Sequence, residues 1–270
     1  MIHRHPRELM CFLKPPSGIG GRRGDRKDKA QKAQPPAVSI PQAKTIAEAN
    51  ELAVQLGLAQ HADFRNADVG MVNDMLEIIA RHRQDFPEQP QLEFIGTMPE
   101  YRKYVQENYG YTPKRINNYL AVSYGRSRFT GRGPAIVLNS SVANPQKAEE
   151  SIANIRKAQE KRFLSIGTVR GVIHHEEGHQ LDNYVGGSRD SRIQSLYRQH
   201  RGRLTTEDLP DGRQIHTSKM AVALSAYANK NIQEFIAEGW AEYRTSSKPR
   251  PLARQIGDRM MELYKEASRK

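Results

Sequence analysis

The sequence is poor in cysteine and in long apolar runs, and each shortage excludes a class of protein. A single thiol, Cys11, cannot close an internal disulfide, so a small cross-linked secreted scaffold is ruled out. No apolar stretch approaches the ~18–20 residues that span a bilayer. The opening MIHRHPRELMCFLKPP lacks the apolar core, roughly 7–15 residues long, of an export signal. The expectation is a cytoplasmic protein that does not insert in membranes. Apolar residues make up 37% of the chain, below the roughly 45–50% of ordinary globular domains.

That deficit lies mainly at the N-terminus. Residues 1–44 carry ten Lys or Arg against three acids, so +7 of the formal +12 belongs to this stretch. Residues 14–43 mix Pro, Gly, Lys and Arg with almost no apolar periodicity, a composition too polar to offset chain entropy by burial. Residues 1–43 therefore read as a basic, disordered tail, with 44–270 as the folded domain. The tail's charge suits an anionic surface or nucleic acid, although it lacks interleaved aromatics.

From Thr45 the pattern becomes helical. Ile46, Ala49, Leu52, Ala53 and Leu56 fall at helical spacing, and Gly57 is a stop. A second helix is expected over 68–83, closed by Pro87 and Pro90, making 44–90 a helical N-terminal part. Three strand-like runs follow: Leu92–Gly96, Tyr119–Tyr124 and Pro134–Leu138. Asn144-Pro145 reads as a helix start running to about Lys161, and Thr168 as the cap of another helix. This order predicts an α+β chain with a small mixed sheet.

The segment GVIHHEEGHQLDNY, residues 171–184, concentrates the chemistry. His175 and His179 are four apart, which on a helix stacks both imidazoles on one face. Glu176 lies about 100° round, beside that face. This is the H-E-x-x-H arrangement, in which two histidines bind zinc and the glutamate deprotonates water. Composition alone would produce it roughly 0.02 times in such a chain. The competing reading is a surface helix with incidental histidines. His174 cannot start the motif, because Gly178 stands four residues on. Glu177 occupies a position usually uncharged, so it must face solvent or find a partner. Asp182, three beyond His179, is a candidate third ligand or an outer acceptor fixing a histidine tautomer.

A catalytic zinc needs a third protein ligand. His200, His216, Glu207 and the run SAYANKNIQEFIAEGWAEY, residues 225–243, are the candidates. Glu234 and Glu238 share a helix face there, and Trp240 reads as a core anchor. Asn231-x-x-Glu234 is equally a helix-start capping pattern, so local reading leaves Glu234 open between ligand and cap.

Taken together, HEEGHQLDNY and SAYANKNIQEFIAEGWAEY resemble the gluzincin metallopeptidases, most closely the catalytic domain of anthrax lethal factor and related phage head-associated and mobile-element proteins. The motifs cover about 30 residues, with looser likeness over about 92–245. The resemblance implies a zincin-like fold with an HExxH helix and a C-terminal glutamate helix. It implies Zn2+ held by His175, His179 and Glu234, with Glu176 as general base. It also implies Tyr227 as a catalytic hydrogen-bond donor and Glu238 as an outer-shell residue. The expected activity is endopeptidase cleavage of a protein or peptide, in a host cell or a virion. The alternative is a non-catalytic zincin-fold assembly protein of a phage particle. Pro134–Leu138 is expected as the sheet edge along which substrate pairs.

Overall fold

The computed structural model describes residues 39–113 and 119–269, within a compact unit that spans Ala37–Lys270. Cys11 and almost all of the basic tail lie outside the described residues. Ile40 packs on the core, and the Ala43 backbone exchanges two 2.9 Å hydrogen bonds with the Asn73 side chain.

Helix α1 (Ile46–Gln55) begins where Thr45 Oγ1 accepts the Glu48 N–H, and α2 (Val69–Asp85) where Asp68 Oδ1 accepts that of Met71. Between them runs β1 (Ala59–Asp63), so the 44–90 region is not wholly helical. Its sequence, AQHAD, carries no β-branched or aromatic residue and reads poorly as a strand. Then follow β2 (Leu92–Thr97), α3 (Met98–Tyr109), β3 (Ala121–Tyr124) and β4 (Ala135–Leu138). The C-terminal part contains the short α4 (Ser140–Ala143), α5 (Ala148–Glu160), α6 (Val169–Val185) and α7 (Ser191–His200). A hairpin of β5 (Thr206–Asp208) and β6 (Gln214–His216) leads to α8 (Lys219–Ala223), α9 (Ile232–Thr245) and α10 (Pro251–Ala267). The chain is thus α+β, as expected. No helix among the described residues is long and apolar enough to cross a membrane.

The main sheet has the order β1-β2-β4-β3, with β3 antiparallel to β4 and the other pairs parallel. Strand β4 is therefore interior, and the expected substrate edge at 134–138 is corrected: the free edge beside α6 is β3. All four residues of β4, AIVL, are buried, as suits a strand flanked on both sides and covered on both faces. Side chains alternate across the sheet. Ile95 and Ile136 join α1, α2 and Ile173 of α6, whereas Phe94, Ala135 and Val137 join Tyr101 and Val105 of α3. A third cluster ties α6, α9 and α10 around the fully buried Trp240.

Helices α6 and α9 come unusually close, and Gly178 explains why. A Cβ at that position would stand 2.9 Å from Ala237 Cα and 3.1 Å from Trp240 Cβ. The missing side chain lets the two backbones approach, which brings the glutamates of α9 to the histidines of α6.

Candidate metal centre

Local sequence fixes where the two halves of the site begin. Thr168 Oγ1 accepts the Gly171 N–H and starts α6, and Asn231 Oδ1 accepts the Glu234 N–H at 2.8 Å and starts α9. The cap reading of Asn231 holds for its side chain. The Glu234 carboxylate does not turn back to complete a capping box; it points to α6.

There it meets both histidines. Glu234 Oε2 lies 3.1 Å from His175 Nε2 and 3.3 Å from His179 Nε2, and the three ligand atoms are within 4.8 Å of one another. Tetrahedral zinc with bonds of ~2.1 Å separates its ligand atoms by about 3.4 Å, so the spacing matches a shared ion. Behind His175, Glu238 Oε1 takes Nδ1 at 2.9 Å while its Oε2 accepts the Ser165 N–H at 2.6 Å. With Nδ1–H donated to Glu238, the His175 Nε2 lone pair faces a carboxylate oxygen. Two electron-rich atoms in contact need a cation or a proton between them. Without a metal a proton does the work. Burial disfavours a charged His175 ring, but the hydrogen bonds that ring donates to Glu234 and Glu238, with the charges of Glu238 and Glu176, outweigh it and push the pKa up to about 10. Burial raises the pKa of Glu234, but its histidine hydrogen bonds reverse this and hold it well below the usual carboxylate range. Three buried carboxylates (Glu176, Glu234 and Glu238) surround two imidazoles. That excess of negative charge, with a His2Glu donor set, fits a divalent cation.

Glu176 is 5% exposed and accepts the backbone N–H of Ser123 on β3; burial raises its pKa. Tyr227 donates its hydroxyl to Glu234 Oε1 at 3.2 Å, and Lys230 Nζ reaches both that oxygen (3.0 Å) and the Tyr227 hydroxyl (3.1 Å). Lys230 was not anticipated; its place four residues before Glu234 on the opening of a helix was the available signal.

Other candidates go elsewhere. Asp182 Oδ1 accepts the Ser188 N–H at 2.6 Å, tying the end of α6, instead of the expected histidine N–H. His200 Nδ1 faces the Leu196 carbonyl at 2.9 Å, and Glu207 is exposed on β5. His216 lies against the Phe163 ring. Glu177 finds partners: it is 1% exposed, with Oε2 2.8 Å from His174 Nδ1 and 3.6 Å from His82 Nδ1.

No protein-family model, curated protein or solved structure matches this chain.

Proposed function

We propose that the chain is a zinc-dependent endopeptidase of gluzincin type, with a zincin-like fold, acting on a protein or peptide. The observation that carries this reading is the meeting of His175 Nε2, His179 Nε2 and Glu234 Oε2 in one cleft beside Glu176. Bound zinc would supply Lewis acidity for the scissile carbonyl and for the attacking water. Glu176 is placed to take the water's proton and return it to the leaving amine. Burial raises its pKa, which makes the carboxylate a stronger proton acceptor. Tyr227, once turned from Glu234 Oε1, would donate to the tetrahedral oxyanion, a contribution of about 3 kcal/mol for a well-placed donor.

Substrate binding has two supports. The β3 edge would offer to an extended chain the backbone groups that Glu176 and Gln180 leave free. Beside it, a cavity of about 270 Å³ is bordered by Ile155, Phe163, Val172, Glu176 and Tyr227, and suits one large apolar substrate side chain.

The test is cleavage of a peptide library by the zinc-loaded chain and its Glu176→Gln variant. The reading expects the variant to keep zinc and lose about 100-fold or more in rate. Equal cleavage by both proteins refutes the general-base role. A second reading, a non-catalytic zincin-fold component of a phage particle, is favoured by one feature: the Tyr227 hydroxyl and Lys230 are both engaged on Glu234 Oε1. It expects bound zinc and no cleavage by the wild type.

A further inference from the structure

A second cavity, of about 350 Å³, lies between α2, the C-terminal half of α6 and the turn that follows β3. It shares no residue with the metal cluster. Its size falls within the roughly 300–1,000 Å³ of small-molecule sites. Part of its wall is apolar, formed by Ile79, Leu92, Ile136 and Tyr184.

Its wall is basic. Arg83, Arg126 and Arg128 all line it. Arg83 donates to the Gln89 carbonyl at 2.7 Å, yet none of the three is paired with a carboxylate among the described residues. Several arginines that pack between elements elsewhere are paired with acids, such as Arg170 with Asp74, Arg244 with Asp85, Arg250 with Glu242 and Arg259 with Asp190, whereas the buried Arg132 is held by tyrosine hydroxyls and backbone carbonyls. Gln89 adds a second, independent observation. It is 6% exposed and lines the cavity; its Oε1 takes His82 Nε2 at 2.5 Å, and its Nε2 donor has no partner. Buried amide donors left in this state are uncommon and mark places where a ligand or water completes the bonding. Among the described residues the wall holds one carboxylate, Glu177, whose Oε2 lies 2.8 Å from His174 Nδ1 while its Oε1 has no hydrogen-bond partner.

We propose that this cavity binds a small organic anion, with its carboxylate, sulfonate or phosphate head at the arginines and its apolar body on the Ile79–Tyr184 wall. Guanidinium forks pair with such heads in two parallel hydrogen bonds, and an apolar body removes the remaining wall from water. The site does not depend on the peptidase reading, because it uses neither the metal ligands nor Glu176.

The probe is 8-anilino-1-naphthalenesulfonate, titrated calorimetrically into the full-length chain. The proposal expects one site per chain, displaced by octanoate. The Arg126→Ala/Arg128→Ala double variant changes two exposed positions, so the fold should persist, and it should bind at least about tenfold more weakly. Asn183→Trp, at an exposed position in the lining, should weaken binding by obstruction. The neutral analogue N-phenyl-1-naphthylamine should bind the wild type at least tenfold more weakly than the sulfonate. Unchanged affinity in both variants overturns the location, and equal affinity for the neutral analogue overturns the anion assignment.

Discussion

His174 and His175 are consecutive residues of one buried helix, and their ionisation is driven in opposite directions. Each touches a glutamate at nearly the same distance: 2.8 Å from His174 Nδ1 to Glu177 and 2.9 Å from His175 Nδ1 to Glu238. Burial, reinforced by the charges of Arg244, Arg170 and Arg81, pushes His174 down to about 3. For His175 the same burial is outweighed by Glu234 and Glu238, and the pKa rises to about 10. The difference is the local charge balance. Towards α9, three carboxylates share two imidazoles; towards α2, one carboxylate lies between the rings of His174 and His82. A histidine–glutamate pair therefore does not define a metal site. The candidate metal site is distinguished by an excess of carboxylate converging on two imidazoles.

The largest effect that tests this contrast is ligand removal. His175→Ala and Glu234→Ala should each reduce zinc affinity by more than about 100-fold, measured by competition with a chromophoric chelator, whereas His174→Ala should retain zinc. Loss of zinc from folded His174→Ala protein would break the distinction between the two faces. Next comes Gly178→Val. Its side chain would enter the α6–α9 contact, so denaturant unfolding should show a loss of about 1–3 kcal/mol, with weaker zinc binding as α9 is pushed away.

The pH dependence of metal-free protein sharpens the comparison. His174 has a folded pKa below its ordinary 6.5, so the unfolded chain binds the proton first, and stability should fall as pH drops from 6.5 towards 3. For His175 the folded value is the higher one. Its contribution is complete below 6.5 and should disappear as pH rises through about 10. Denaturation midpoints across that range should show both slopes, with His174→Gln flattening only the acid side. Zinc uptake near pH 7 should also release a proton from His175, detectable as a buffer-dependent heat. The smallest effect belongs to Lys230→Met. Lys230 is 56% exposed at its side chain, so its pair with Glu234 is screened, and zinc affinity should change by about threefold or less.

The sequence made part of this legible. His175, Glu176 and His179 were readable because helical spacing converts directly into a shared face. The starts of α6 and α9 were readable because Thr168 and Asn231 carry capping oxygens. Glu234 was not settled by local reading: cap and ligand require the same residue at the same position, and only the tertiary approach of α9 shows that its carboxylate lies against His175 and His179. Of Glu177's neighbours, His174 stands three residues back on the same helix and was readable by spacing, whereas His82 comes from α2, far away in sequence. Strand β1 was missed because its pairing with β2, not its composition, makes AQHAD a strand. Helix α3 was hidden behind Pro99, which belongs to its first turn. For β4 the signal was present and misread: four consecutive apolar residues mark a strand buried on both faces, not an edge.

Zinc K-edge X-ray absorption on the zinc-loaded chain reads out whether His175, His179 and Glu234 share one cation. The account predicts one zinc per chain, with two imidazole nitrogens and carboxylate or water oxygens at about 2.0–2.2 Å, and loss of the imidazole signal in His175→Ala. A sulfur-containing shell, a spectrum unchanged by His175→Ala, or no bound zinc would contradict it.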